Sequence, residues 1–196
     1  YEVYEAYEGA PGKRMIGCWA HARRKFVEAL DEDRKHASEG LVYIGRLYGI
    51  EKEMQEAGLD AEAIRKRRQD KSYEIIREFE KWMDSVSNRF APKSRMGKAL
   101  VYTYTLLPRL SRYVLDGRYH IDNNGVENAI RPLAIGRKNY LFCGNHDAAV
   151  RAAIVYSLFS SCKAHGIDTR TWLEDTLKRL PTEKDIDSLL PCNFRK

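Results

Sequence analysis

The chain has 196 residues, of which 43% are hydrophobic and 32% charged, with only 13 Gly and 6 Pro. This composition is typical of a globular, helix-rich protein and excludes a disordered or collagen-like chain. No apolar run approaches the roughly 18 residues that a transmembrane helix needs, and the opening YEVYEAYEGA lacks the features of a signal peptide. We therefore expect a cytoplasmic protein that makes no membrane contact.

The net charge of +6 is unevenly placed. Residues 64–98 contain eleven Lys or Arg and five Asp or Glu, so the whole excess of positive charge lies in this segment. A local basic stretch attracts polyanions, of which nucleic-acid backbones are the commonest. The alternative is a solvated helix face with ion pairs between successive turns. Within the segment, the DNA-contact candidates are the four consecutive residues Arg65, Lys66, Arg67 and Arg68.

The first predicted elements are short. Residues 1–8 are expected to form a short helix or its tail, stopped by the turn-forming Gly-Ala-Pro-Gly at 9–12. Residues 14–19 (RMIGCW) form an apolar run that predicts a buried strand. A helix is predicted over 20–30, with Ala22 and Phe26 on one side.

Residues 31–115 show helical spacing almost throughout. Apolar residues recur every three or four positions in three successive stretches, and Pro92 separates the second from the third. The third helix should begin near Ser94, and Pro108 is expected to kink it. We predict an antiparallel helical unit here, because the stretches carry ample apolar surface to pack.

The remaining residues alternate between extended and helical predictions. Asp116-Gly117 marks a turn, an extended segment leads to a helix start at Asn124, and 137–143 (RKNYLFC) are predicted to be extended. An alanine-rich helix is expected over 147–163, closed by Gly166, and another over 169–179.

The motif DNNGVENAIRP at 122–132 is the least ordinary stretch of the chain. Asn124 is a good N-cap, and Glu127 would then stand at the third helical position of a capping box. Arg131 lies four residues after Glu127, where an ion pair across one helical turn forms easily. These structural roles alone would account for all three residues.

Four cysteines are scattered without the dense spacing of a secreted disulfide scaffold, which indicates a reducing compartment. Two occur as Cys-x-x-His pairs, Cys18 with His21 and Cys143 with His146, and together they offer four tetrahedral zinc ligands. The separation of the pairs is very long for a zinc finger. Buried cysteines and hydrogen-bonded histidines remain the favoured interpretation.

Five blocks of the sequence, in this order, resemble the transposases of the insertion-sequence-66 family. The blocks are GCWAHARRKF at 17–26, IDNNGVENAIRP at 121–132, IGRKNYLFCG at 135–144, RAAIVYSLFSSCK at 151–163 and DSLLPCNF at 187–194. The resemblance covers nearly the whole chain. Asn128 departs from it, since arginine is frequent there, and so do Cys192 and Phe194 in place of a tryptophan-rich tail.

The resemblance implies a DDE-type enzyme with a ribonuclease-H-like fold, in which two aspartates and one glutamate hold divalent metal ions. Glu127 occupies the position of the glutamate and is the implied catalytic residue and Mg²⁺ (or Mn²⁺) ligand. The two aspartates would lie upstream of Tyr1, so we expect a C-terminal fragment that binds no metal alone. Hard cations of this kind prefer oxygen ligands.

The resemblance also implies a layout for an α/β, helix-dominated chain. Residues 1–31 would end a partial ribonuclease-H-like core, 32–115 would form a large all-helical insertion, 116–166 would return to the core with Glu127, and 167–196 would form a C-terminal helical extension. Arg131, Arg137 and Lys138 would contact phosphates, with structural ion pairing as the alternative.

The sequence thus predicts a fragment of a transposase that cuts and joins transposon DNA and is inactive alone. Its expected partners are transposon-end and target DNA and further copies of itself, in association with a bacterial nucleoid. Two other classes stay open: a non-catalytic nucleic-acid-binding helical module and a zinc-stabilised structural module.

Overall fold

The computed structural model describes residues 11–194. Over this range the chain is dominated by helix and contains no strand. The α-helices, in chain order, are α1 (Trp19–Ala29), α2 (Arg34–Glu56), α3 (Ala61–Arg67), α4 (Tyr73–Ser87), α5 (Arg95–Leu110), α6 (Asn124–Tyr140), α7 (His146–Ala164) and α8 (Thr169–Arg179). A π-helical segment, Arg68–Ser72, joins α3 to α4, and 3-10 segments occupy Ser111–Leu115, Ile186–Leu189 and Pro191–Asn193. No described helix is both long and apolar enough to span a bilayer.

The described residues belong to two compact units, which divide after Asn124. We call the portion up to Asn124 unit 1 and the portion from Gly125 onward unit 2. The four-part layout implied by the family resemblance stays a prediction, and the predicted helix at 1–8 lies outside the described residues.

Unit 1 is built around one hydrophobic core. Helix α1 packs on α2 and α5, and α4 packs on α2 and α5. The aromatic rings of Phe26, Tyr43, Phe79 and Trp82 lie against one another, with Tyr43 and Phe79 stacked at 5.2 Å between centroids. Trp19 is fully buried and donates its indole N–H to the Leu110 carbonyl at 3.0 Å. Burial of such rings supplies much of the energy of a helical core.

The predicted helices of unit 1 are confirmed. The helix predicted over 20–30 is α1, and the helical stretch predicted over 31–115 contains α2 to α5. Ser94 caps α5, accepting a hydrogen bond from the Gly97 N–H at 2.9 Å. Pro108 lies inside α5, which continues to Leu110 before the chain tightens into a 3-10 turn.

The strand predicted over 14–19 is wrong. Residues 13–18 have no regular secondary structure and pair with no strand among residues 11–194, and α1 already begins at Trp19. The hydrogen bonds of this segment go elsewhere: the Gly17 N–H donates to the Arg109 carbonyl at 2.9 Å and the Trp19 N–H to the Ile121 carbonyl at 3.1 Å. Gly17 is required here, because a Cβ on it would lie 2.9 Å from the Leu110 backbone nitrogen. The apolar run therefore packs on the end of α5.

Unit 2 has a much smaller core. Cys162, Ile167 and Trp172 form one buried cluster, with Phe159 and Phe194 packed against it, and Leu189 is buried as well. The Trp172 indole donates to the Leu189 carbonyl at 2.9 Å, which fastens the C-terminal 3-10 segments to α8. Helices α7 and α8 match their predicted ranges, and Gly166 follows α7 with a φ of 65°, a conformation that glycine adopts readily.

Helix α6 is longer than predicted. Residues 137–143 were predicted to be extended, but Arg137 to Tyr140 continue α6, and only the three residues after Tyr140 leave the helix. The amide of Leu141 still donates to the Arg137 carbonyl at 3.0 Å, and Leu141 then adopts a φ of 62° that ends the helix. The run RKNYLFC, which was predicted to be extended, spans the end of this helix instead.

Candidate active-site segment

The segment 121–124 connects unit 1 to the helix that carries Glu127. Ile121 is buried in the unit 1 core and its carbonyl receives the Trp19 amide. The next residue, Asp122, is held by three hydrogen bonds. Its carboxylate accepts the Tyr48 hydroxyl at 2.7 Å, the Asn124 backbone N–H at 3.0 Å and the Asn124 side-chain amide at 2.9 Å. Both oxygens of Asp122 are therefore engaged within unit 1.

This arrangement corrects the predicted capping pattern. Asn124 was expected to precede the helix as its N-cap, but α6 begins at Asn124 itself. The carboxylate that receives a first-turn amide is Asp122, two residues earlier. Glu127 is consequently the fourth residue of α6 and not the third helical residue of a capping box.

Tyr48 supplies the hydroxyl that holds Asp122. Burial first, and then the hydrogen bond to the Asp122 carboxylate, raise the pKa of Tyr48 well above its ordinary value. The hydroxyl thus stays protonated and can only donate toward that carboxylate. Tyr48 and Asp122 are 74 positions apart, so the contact joins α2 to the segment just before α6.

Glu127 lies on the exposed surface of unit 2. The residues of α6 are mostly exposed, and none of them is buried. Arg131, one helical turn after Glu127, is exposed as well. Arg137 and Lys138 occupy the last turn of α6, where cations also interact favourably with the helix dipole. The favourable interaction with the helix dipole therefore accounts for these two cations whether or not they also bind a phosphate.

The same helix exposes large apolar side chains. Val126, Ile130 and Ile135 are 61%, 50% and 56% exposed, and Val150, Ile154 and Val155 of α7 are between 45% and 55% exposed. A helix as uniformly apolar as α7 is normally covered by other protein. We call these six residues the exposed apolar set of unit 2.

The four basic residues predicted to contact DNA differ sharply in their surroundings. Arg65 forms an ion pair with Glu62 at 2.5 Å, and Arg67 lies 3.7 Å from Glu53. Lys66 is exposed. Arg65 and Arg67 are only partly exposed and already have intramolecular partners, so their charge is partly neutralised.

Arg68 does not fit the predicted DNA-binding role. It is 3% exposed, and its guanidinium donates to the Glu51 carboxylate at 2.9 and 2.6 Å and to the carbonyls of Tyr113 and Asp116 at 3.0 and 2.9 Å. It also lies over the Tyr113 ring, 5.0 Å from the centroid. A buried guanidinium with four hydrogen bonds has a structural role, and a phosphate cannot reach it.

The described residues do not by themselves form a metal site. In the range 11–194, no group of three or more His, Cys, Asp or Glu side chains is arranged to hold a metal ion. Cys18 is buried at the start of α1, Cys143 is partly buried, and all four cysteines are free thiols. One carboxylate at Glu127 and an engaged one at Asp122 do not fit a two-ion magnesium site.

Comparison with known proteins gives the class. The model of the transposase IS66 family matches residues 1–151, and that of the IS66 C-terminal element matches residues 157–192. The chain therefore belongs to the IS66 transposase family, as the sequence resemblance predicted.

Individual relatives come from Sinorhizobium fredii (strain NBRC 101917 / NGR234) and are uncharacterized. The protein y4qI is 36% identical over 93% of this chain and 34% of its own length, and y4jD is 32% identical over 100% of this chain and 40% of its own length. This chain thus spans between a third and two fifths of the length of these relatives. No solved structure matches it.

Proposed function

We propose that this chain is the glutamate-bearing part of a DDE transposase that cuts and joins transposon DNA. The observation that carries the proposal is the IS66 family match across the motif at 121–132, with Glu127 exposed in the first turns of α6. An exposed carboxylate in the first turns of a helix suits a group that meets a ligand from outside this chain.

Glu127 would supply one carboxylate of a divalent-metal site. The remaining ligands would be aspartates outside this chain, since the described carboxylates do not complete such a site. When bound, Mg²⁺ or Mn²⁺ ions would activate the attacking oxygen and stabilise the leaving one during phosphodiester hydrolysis and strand transfer. On this proposal the isolated chain binds no catalytic metal and is inactive.

The proposed ribonuclease-H-like core rests on the exposed apolar set of unit 2. Large exposed apolar groups are found where a protein surface packs against another. The set lies on α6 and α7, which the resemblance assigns to the core, and the relatives contain a further three fifths or more of chain. A sheet contributed by that further chain would cover these residues.

The proposed partners are transposon-end and target DNA, with self-association in the complex that brings the two together. Exposed basic residues suit phosphate contacts, and Lys66, Arg131, Arg137 and Lys138 are exposed. Arg65 and Arg67 stay in the proposal as partly exposed cations that would exchange an internal carboxylate for a phosphate. Arg68 is removed from it.

The test is Glu127→Gln in a protein of the same length as its relatives. The substitution removes the charge and keeps the shape, so we expect strand transfer and cleavage to be lost while the thermal unfolding temperature is unchanged. Asp147→Asn is the matched control, because Asp147 is an exposed carboxylate in the first turn of α7. Full activity of the Glu127→Gln protein would reject the catalytic assignment and favour a non-catalytic DNA-binding module.

A further inference from the structure

A groove in unit 1 lies between α1 and α2, next to the segment that leads into α6. Its volume is about 460 Å³, and its walls include Arg23 and Arg24 of α1, Gly45 and Tyr48 of α2, and Asn124. The two other lining residues are Ala20 and Val27, so none of the lining side chains is acidic. A groove with two cations and no carboxylate favours an anion.

Neither Arg23 nor Arg24 forms an ion pair with a carboxylate in the described part of the chain. Both are exposed. The next cation, Lys25, does pair with Glu28 at 3.3 Å. Two adjacent unpaired guanidinium groups raise the local positive potential at the groove mouth.

The carboxylate of Asp122, next to two of the groove residues, is engaged in other hydrogen bonds. Asp122 lies beside Tyr48 and Asn124, but its oxygens accept hydrogen bonds from those two residues. The positive charge of Arg23 acts to lower the pKa of Tyr48, whereas Asp122 raises it. Asp122 therefore organises one wall of the groove without pairing with either arginine.

The floor of the groove is open because its residues are small. A Cβ placed on Gly45 would meet no atom within 4 Å, and Ala20 of α1 also lines the groove. The guanidinium fork matches the geometry of a phosphate oxygen pair and forms strong charge-assisted hydrogen bonds with it.

We propose that the groove between α1 and α2 binds the phosphodiester backbone of DNA through Arg23 and Arg24. The choice of DNA as the ligand rests on the proposed function. The contact would hold a strand beside residues 122–124, at the entrance to the helix that carries Glu127. Phosphate contacts of this kind fix the position of DNA without reading its sequence.

The first test neutralises the two arginines in this chain. Arg23→Gln with Arg24→Gln should weaken binding of a labelled DNA duplex about tenfold at low salt. It should also reduce the slope of log affinity against log salt by about 2, since each phosphate contact contributes roughly 0.9 to that slope. Fluorescence anisotropy across a salt series measures both quantities.

The control pair is Arg34→Gln with Lys35→Gln. These adjacent residues are also exposed and lie on α2 about 15 Å along the helix from Gly45, by the helical rise. The net charge of the protein changes equally in both double variants. If both double variants lose the same DNA affinity, then only the net charge matters and the proposed DNA site in the groove is wrong.

The second test blocks the groove without changing the charge. Gly45→Leu fills the floor, and Gly49→Leu is its control, because both glycines have open space around them in α2. Gly45→Leu should weaken DNA binding severalfold and Gly49→Leu should not, with both proteins retaining helical circular dichroism. DNA binding that tolerates Gly45→Leu would overturn the proposal.

These outcomes separate the groove from the proposed function. If the wild-type chain binds DNA and neither groove variant weakens that binding, then only the proposed DNA site in the groove is wrong. The transposase assignment is then tested separately by Glu127→Gln. A wild-type chain with no measurable affinity for duplex DNA overturns the groove, while loss of strand transfer in Glu127→Gln would still support the catalytic role.

Discussion

At the scale of single residues, Arg67 and Arg68 are adjacent in the basic run 65–68 but should contribute very differently to the stability of the protein. Arg68→Met leaves Glu51 and two carbonyls without their donor in a buried position. Breaking a buried ion pair costs about 3 kcal/mol or more. Arg67→Met removes only a partly exposed pair 3.7 Å long, which is worth under about 0.5 kcal/mol. Urea unfolding of the two variants measures the difference.

A similar loss of stability in both variants would contradict the buried position of Arg68. The prediction also bears on DNA binding. Because Arg68 is inaccessible, Arg68→Met should change DNA affinity only where it unfolds the protein, whereas charge-reversal of Arg65, Lys66 and Arg67 acts on exposed or partly exposed groups. Binding measured well below the unfolding temperature separates the two effects.

At the scale of elements, two glycines of α2 test how closely α1 approaches it. A methyl group on Gly40 would lie 2.5 Å from the Cε1 atom of Phe26, whereas one on Gly49 would meet no atom within 4 Å. Gly40→Ala should therefore destabilise the protein by about 1–3 kcal/mol through overpacking. Gly49→Ala should stabilise it by roughly 0.5–1 kcal/mol, because alanine is the better helix former.

Thermal or urea unfolding of both variants gives the two signs directly. The opposite signs are the prediction, because helix propensity alone would make both substitutions stabilising. If Gly40→Ala were as stable as Gly49→Ala, then α1 and α2 would not be in contact at Phe26.

The spacing of apolar residues predicted most helices, because an amphipathic helix repeats apolar residues every three or four positions. The apolar spacings of α2, α4 and α5, Ser94 before α5 and Gly166 after α7 all act within one or two turns. Periodicity failed where the tertiary environment decides. The residues before Trp19 have no neighbouring strand in the part of the chain that the structure describes, and α6 continues through the aromatic residue Tyr140.

The site was predictable only in part, for the same reason. The motif predicts Glu127 as a site residue, whereas the hydrogen bond between Tyr48 and Asp122 spans 74 positions and leaves no local pattern. Arg65 to Arg68 look equivalent in sequence. The π-helical segment that begins at Arg68 adds residues per turn and changes the helical phase, and Arg68 lies buried at its start while Lys66 remains exposed.

At the scale of the whole molecule, the two units differ in how much apolar surface they bury. Unit 1 has an extensive core, whereas the described part of unit 2 has four buried hydrophobic residues and the exposed apolar set. A larger buried core gives a larger free energy of unfolding. If the exposed set is covered in proteins as long as the relatives, then a charge placed within it should be harmless in this chain and damaging in the longer protein.

Ile154→Glu tests that expectation, with Val42→Glu as its control. Ile154 is 55% exposed in α7, and Val42 is 61% exposed in α2 of unit 1. In this chain both substitutions should change the free energy of unfolding by less than about 0.5 kcal/mol, as exposed positions usually do. In a protein of the relatives' length, Ile154→Glu should lower the unfolding temperature and the soluble yield, because it would bury an unpaired charge, while Val42→Glu should not. Equal behaviour of the two variants in the longer protein would mean that α7 stays exposed there, and the proposed packing of a sheet on this helix would be wrong.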